Sequence, residues 1–241
     1  MLYPKLREFM QFLIATPLHP QWHIHRLDRS LKEHFENIHG DLLDVGAGNG
    51  KLKSIVPDTV DYIGLDYPLT TAKGYSGAVS VYGDGIDLPF KENSFDVVVM
   101  LDVLEHIPDA KKAFQESIRV LRPGGNLIIK VPFLYPIHDS PHDFQRWTVY
   151  GLECFSEEER VKVKYYCYLG EPGETAALIA NLALCSGVLS VIKRGSFGIA
   201  LAPIAVVLVP LINLVGYMMS KVFPRDNLMP LSYIIVYDKL N

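Results

Sequence analysis

Asp41-Leu-Leu-Asp44-Val-Gly46-Ala47-Gly48-Asn-Gly50 is an apolar run that ends in an acid and breaks into three glycines at alternate positions. A Lys/Leu-containing helical pattern follows, so the stretch reads as strand, tight turn and helix. Glycines in such a turn take positive φ angles and let a bulky ligand approach the main chain without meeting a Cβ, as a nucleoside-binding turn requires. The spacing narrows the choice. A dinucleotide fingerprint, Gly-x-Gly-x-x-Gly, would place its last glycine at position 51, which is Lys51. The form is Gly-x-Gly-x-Gly, which disfavours a nicotinamide oxidoreductase.

Working outward, Val60-Asp-Tyr-Ile-Gly-Leu-Asp66 is a second apolar strand whose terminal acid lies 22 residues beyond Asp44. In a βαβ unit that position faces the two hydroxyls of a ribose, and a carboxylate can accept from both. Tyr67 is expected beside the nucleoside. Ala78 to Tyr82 reads as a third strand, followed by the turn Gly83-Asp84-Gly85-Ile86-Asp87-Leu-Pro-Phe90. Phe95 to Leu101 is almost continuously apolar, as a central parallel strand covered on both faces should be. It leads into Asp102-Val103-Leu-Glu105-His106-Ile-Pro108. Ala110 to Leu121 is a predicted helix, Arg122 to Gly125 a turn, and Asn126 to Val131 a fifth strand.

The segment leaving the fifth strand is the most unusual polar stretch: His138-Asp139-Ser-Pro-His142-Asp143-Phe-Gln-Arg146-Trp-Thr148. It starts at the edge where open α/β sheets place ligands, so an acceptor is expected to pass here. A neutral imidazole near pH 7 can remove a proton, which makes His138 and His142 candidate bases. Asp139 or Asp143 would orient an imidazole, and Arg146 would pair with an anionic acceptor group such as a phosphate. His106 reads equally as a base or as a cap of its own helix. A Mg²⁺ or Zn²⁺ site on the two His-Asp pairs is set aside and no metal is assigned, because neighbouring ligands on a proline-containing loop lack the spacing of a preformed cage. Thr148 reads as the N-cap of a helix from Val149 to Phe155.

Over residues 41–131 these motifs, in this order, resemble the class I S-adenosylmethionine-dependent methyltransferases. The Leu-Glu-His-Ile turn resembles that of the small-molecule enzymes related to the ubiquinone and menaquinone C-methyltransferases. The Pro-His-Asp-Phe-x-Arg string is similar to methyltransferases found with surface-polysaccharide and glycolipid synthesis. The resemblance implies an α/β, Rossmann-like seven-stranded fold, mostly parallel with an antiparallel last strand, and S-adenosylmethionine as cofactor. It implies cofactor contacts from Asp44, Gly46, Ala47, Gly48, Gly50, Asp66 and Tyr67. Asp84 with Gly85 and Ile86 would hold the adenine, above a floor of Leu101, Asp102 and Val103. His138, His142, Asp143 and Arg146 are then the catalytic candidates. A scaffold that keeps the fold and binds the cofactor without turnover is the rival, with an NAD-dependent oxidoreductase behind it.

The 241 residues suit one catalytic domain with a large insertion. A net charge of -4 argues against a nucleic-acid partner, which needs a basic face. Cys154, Cys167 and Cys185 are odd in number and widely spaced, so neither a disulfide framework nor a zinc site is expected, and a cytoplasmic location fits. Lys5, Arg7 and Glu8 precede only a short apolar run, which does not read as a signal peptide. The N-terminal residues 1–40 are expected to form a helical lid, with a first helix carrying Leu2, Leu6, Phe9, Phe12 and Leu13 and a second from Leu27 to Ile38. Residues 41–173 would be the cofactor-binding core and 223–241 the last core strand.

Between them, 174–222 holds most of the hydrophobic excess. Thr175 to Ile192 runs 18 residues without a charge and Phe197 to Ser220 runs 24. Roughly 20 apolar residues suffice to cross a bilayer. The flanking strands belong to one sheet, so the insertion must leave and return on one side. A hairpin whose tip carries Lys193 and Arg194 conflicts with the positive-inside rule if translocated, and a shallow hairpin in the cytosolic leaflet avoids the conflict. Membrane contact favours a lipid or lipid-linked glycan over other small-molecule acceptors. An apolar lid or homodimer interface is the soluble alternative.

Overall fold

The computed structural model describes residues 12–69, 77, 79–157, 160–194, 202–224 and 226–241. Most of the first predicted helix and the expected strand start at Ala78 lie outside them. Two compact units divide the chain: one gathers the chain up to Leu31 with Leu134–Pro136 and Leu169–Leu231, the other Lys32–Phe133, Ile137–Tyr168 and Ser232–Asn241.

The second unit is built on one seven-stranded sheet: β1 (Gly40–Val45), β2 (Val60–Asp66), β3 (Val81–Tyr82), β4 (Phe95–Leu101), β5 (Leu121–Pro132), β6 (Val161–Leu169) and β7 (Ser232–Lys239). The strand order is β3-β2-β1-β4-β5-β7-β6. The pairs β3-β2, β2-β1, β1-β4 and β4-β5 are parallel, while β7 runs antiparallel to β5. This is the predicted Rossmann-like fold, with the helical insertion before the last strand. Strand order reverses between β1 and β4, where Asp44 pairs with Val99 and Val45 with Met100, and a sheet of this kind opens its ligand crevice at that point.

The core follows the apolar runs. Leu43, Val98, Met100, Leu127 and Ile129 are buried in the sheet. The helix Ala110–Val120 covers them with Ala113, Phe114, Ser117 and Ile118 at 3- and 4-residue spacing. Its N-cap Asp109 accepts from Lys112 N at 3.0 Å. Tyr237 is buried against Phe114 and donates to Leu152 O at 2.7 Å.

Several expectations need correction. The glycine turn is followed by a single 3-10 turn, Leu52–Ser54, because Pro57 disfavours the helical conformation at Val56 and leaves room for one turn only. The fifth strand begins at Leu121, since the register shift between Phe95 and Val97 lets Pro123-Gly124-Gly125 loop out within it. Thr148 caps as expected, its Oγ1 accepting from Gly151 N, but the helix it starts ends at Glu153 and tightens into a 3-10 turn, Cys154–Ser156.

The other unit is helical. In place of a helix from Leu27 to Ile38, the helix here is α1 (Trp22–Ser30), ending in a 3-10 turn at Leu31–His34. Pro20 lacks an amide donor and so suits the entry to a helix, which starts the segment earlier than its apolar pattern suggested. Two long helices follow, Pro172–Lys193 and Ala202–Val222, with Pro210 inside the second. They run antiparallel: a Cβ on Gly173 would meet Met219, one on Gly216 would meet Ala177, and Asn181 Nδ2 donates to Asn213 Oδ1 at 2.8 Å. Asn213 Nδ2 also donates to the carbonyls of Pro17 and His19. Arg26 lies 4.2 Å from the Tyr217 ring and pairs with buried Glu174 at 3.0 Å.

Candidate active site

The glycine turn closes the tip of β1 against β2. Gly46 N and Ala47 N both donate to Leu65 O, at 2.8 and 3.0 Å. Gly46, Gly48 and Gly50 take φ of +80°, +50° and +73°. Gly46 faces a second constraint, because a Cβ there would sit 2.3 Å from Val103 Cγ2, at the reversal point of the sheet. Only glycine satisfies both the backbone angle and the gap.

Asp66 at the tip of β2 uses both oxygens: Oδ2 accepts from Gly48 N of the glycine turn at 2.9 Å and Oδ1 from the adjacent Tyr67 N at 2.8 Å. A carboxylate oxygen has a second lone pair, so each retains capacity for a ligand hydroxyl. Tyr67 itself is exposed. Asp84 Oδ1 accepts from Ile86 N at 3.1 Å, which folds Gly85 into a tight turn where a Cβ would lie 2.9 Å from Ile107 Cδ1. Leu101, Asp102 and Val103 are half-buried at the end of β4. The bare main chain of the glycine turn, two spare carboxylate edges and an apolar floor fit an adenosine.

Asp44, at the end of β1, is a further expected cofactor contact. It is buried, and Tyr62 Oη donates to its Oδ2 at 2.6 Å. Burial pushes its carboxyl up to about 7, the Asp66 charge adds in the same direction, and the Tyr62 bond opposes both. Between its ordinary value of 3.8 and about 7 the folded protein therefore holds a proton that the unfolded chain releases. This contribution to stability is complete below pH 3.8 and is lost as pH rises through about 7. Melting curves of the cofactor-free protein are expected to fall across that window by up to ~4 kcal/mol, and Asp44→Asn is expected to flatten the fall. Parallel curves for the two proteins would contradict it.

The chain leaves β4 through Asp102, whose φ of +55° turns it sharply into the 3-10 turn Leu104–His106. Lys130 Nζ, on the neighbouring β5, pairs with the Asp102 carboxylate. Glu105 then points inward and is fully buried. Neither of its oxygens accepts a well-formed hydrogen bond from any described residue. Burial raises its pKa, the Asp102 carboxylate raises it further, and its own amide, Lys130 and Arg146 oppose the shift.

Two imidazoles face it, with Glu105 Oε1 3.8 Å from His106 Nε2 and 3.7 Å from His138 Nε2. The loop after β5 delivers the second of these by folding back on the turn: Phe144 N donates to Glu105 O at 2.9 Å, and His106 Nδ1 lies 2.7 Å from His142 O.

The four catalytic candidates of the loop thus separate. His138 enters the cluster, its Nδ1 3.3 Å from Asp143 Oδ2. His142 is exposed and contributes its carbonyl. Arg146 does not wait for an acceptor anion. Both its terminal nitrogens bind the Asp143 carboxylate, with Nη2 2.7 Å from Oδ2, because that carboxylate lies three residues away on the same turn. The pairing holds the Asp143 carboxyl well below the usual range. Asp139, at φ +50°, turns the loop and is exposed. The residue that sequence reasoning missed is Glu105, whose only signal was a glutamate beside a histidine immediately after a buried strand.

Residues 43–129 match the family described as a methyltransferase domain, and this match runs from β1 through β5. The chain carries a class I S-adenosylmethionine-dependent methyltransferase domain. A demethylmenaquinone methyltransferase of Renibacterium salmoninarum is 36% identical over 136 residues, covering 54% of this chain and 57% of that protein. A tRNA (carboxymethyluridine(34)-5-O)-methyltransferase of Arabidopsis thaliana is 35% identical over 95 residues, covering 37% of this chain and 23% of that protein. The chain thus spans less than two thirds of the length of these relatives. Among solved structures, a possible histamine N-methyltransferase of Thermotoga maritima superposes with a TM-score of 0.54 at 14% identity, covering 97% of this chain and 96% of that one. At that identity the likeness concerns the methyltransferase fold. S-adenosylmethionine is the cofactor of the domain.

Proposed function

We propose that the protein transfers a methyl group from S-adenosylmethionine to a lipid or lipid-linked acceptor at the cytosolic face of a membrane. The observation that carries the acceptor class is a stripe on the helix Ala202–Val222. Ile204, Val207, Leu211, Val215, Met218 and Val222 recur every three or four residues and are 51 to 74% exposed. Both Pro172–Lys193 and Pro203–Val222 are long and apolar enough to cross a membrane, and only 22% of each apolar window is buried. One continuous exposed apolar stripe of this size marks an interaction surface rather than ordinary surface scatter. An antiparallel pair ending at Lys193 and Arg194 suits a shallow seat among anionic headgroups. The net charge of -4 weighs against a tRNA substrate of the kind named for the Arabidopsis relative.

In this reading Asp66 accepts from the ribose hydroxyls, the main chain of Gly46 to Gly50 lies against the nucleoside, and Asp84 with Ile86 takes the adenine. Leu101, Asp102 and Val103 line the floor. The bound cofactor supplies a methyl group already activated on a cationic sulfur. The protein's remaining work is to align the acceptor and draw off its proton, and correct placement alone accounts for several kcal/mol of barrier, up to about 7 to 11 in favourable cases. Activation of the acceptor falls to the cluster of Glu105 and His138, which Asp143 and Arg146 hold in place. With a membrane-lipid extract as acceptor, the full chain is expected to release S-adenosylhomocysteine, and His138→Ala to slow that release tenfold or more. Cofactor binding without release from any extract would favour the scaffold reading.

A further inference from the structure

We infer that Glu105, His106 and His138 form a binding site for one divalent transition-metal ion. Oε1 of Glu105 and one ring nitrogen from each histidine lie within 4.8 Å of one another. The separations from Glu105, 3.7 and 3.8 Å, are too long for hydrogen bonds. They are close to what an ion imposes: two ligands at ~2.0–2.1 Å from a tetrahedral centre stand about 3.3 Å apart. A small inward movement of the imidazoles closes the difference.

The ring contacts fix the tautomer of His106 that coordination needs and admit that of His138. A backbone carbonyl can only accept, so His106 Nδ1, 2.7 Å from His142 O, carries the proton and its Nε2 presents a lone pair toward Glu105. His138 Nδ1 stands 3.3 Å from Asp143 Oδ2 and 3.4 Å from Arg146 Nη2, so its proton can face Asp143, and that is the tautomer an ion at Nε2 selects. Nε2 of His138 then also turns a lone pair toward Glu105. A histidine that donates from one nitrogen to a carbonyl or carboxylate, and offers the other, is the usual arrangement behind a metal ligand.

Glu105 is the second, independent observation. It is a carboxylate at 0% exposure whose oxygens accept no well-formed hydrogen bond among the described residues. Such a group is costly to bury charged: it keeps a proton or is satisfied by a cation, and an ion bound here would displace that proton. One carboxylate and two imidazoles leave coordination positions open, and that donor set suits zinc, manganese or iron in the divalent state better than an all-oxygen cation such as magnesium. An open position is where a substrate oxygen would bind and lose its proton more readily. The metal site stands without the methyl-transfer reading; only this use of the ion rests on it.

The test is calorimetric titration of the purified full chain with Zn²⁺ and with Mn²⁺, without cofactor or acceptor, alongside the electron paramagnetic resonance spectrum of the Mn²⁺ sample. One saturable ion per chain is expected, with a broadened Mn²⁺ signal. Glu105→Gln, which keeps the side-chain shape, and His138→Ala should each lower affinity 100-fold or more. Asp143→Asn should lower it about 10- to 100-fold. His142→Ala should leave it unchanged, since only its carbonyl takes part. No saturable binding of either ion, or equal affinity in wild type, Glu105→Gln and His138→Ala, overturns the site. Because no turnover is measured, a chain that binds the ion and methylates nothing would retain this inference and lose the proposed function.

Discussion

Asp66→Ala is expected to weaken binding of S-adenosylmethionine to the full chain at least 100-fold. In the proposed arrangement the carboxylate accepts from both ribose hydroxyls, and a hydrogen bond to a charged group contributes about 1.5–3 kcal/mol net. Two such bonds sum to roughly 3–6 kcal/mol, or two to four decades in Kd. A second loss adds to the first. The same oxygens hold Gly48 N and Tyr67 N, so the variant also frees the turn that must present its main chain to the nucleoside. Asp66→Asn keeps one acceptor oxygen and is expected to fall between the two. Titration calorimetry decides the matter: a Kd within threefold of wild type for Asp66→Ala would remove the residue from the cofactor site. The demethylated product, which shares the ribose, should show the same loss.

The part of the site made by strand tips was legible before any coordinates because its signals are local. Gly46 to Gly50, Asp66 and Asp84 announce themselves by glycine spacing and by acids at the ends of apolar runs, although the contacts that then hold them, such as Gly48 N to Asp66, cross between strands. The bond that buries Asp44 under Tyr62 was not legible, since it depends on a neighbouring strand.

Glu105 was illegible for a stronger reason. Its meaning comes from His138, 33 residues later, brought back by main-chain bonds from Phe144 and by the His142 carbonyl. No pattern within either segment specifies that return. Arg146 failed in the opposite direction. Its long-range role looked attractive only while the nearer partner, Asp143, was counted as an orienting group. The helix Trp22–Ser30 was obscured because its buried face includes His23, which an apolar periodicity does not count.

The largest effect outside the methyltransferase domain is expected from the exposed stripe. Val207→Asp combined with Val215→Asp should shift the protein from lipid vesicles to the supernatant by on the order of 10³ in partition coefficient. Each valine withdrawn from lipid forfeits roughly 1.5 kcal/mol, and a carboxylate carried into apolar surroundings adds a further cost. Two sites therefore come to about 4 kcal/mol even for a shallow seat. Both side chains are already exposed, so the fold has nothing to lose by the change, and affinity for S-adenosylmethionine should stay within twofold. Co-sedimentation with phosphatidylcholine/phosphatidylglycerol vesicles reads the result. Undiminished co-sedimentation of the double variant, or failure of the wild type to sediment with vesicles at all, would dissociate the stripe from lipid. Sedimentation velocity then distinguishes the remaining occupant: a wild-type dimer that the two aspartates split into monomers would make the stripe a protein interface, and the acceptor would no longer be sought among membrane lipids.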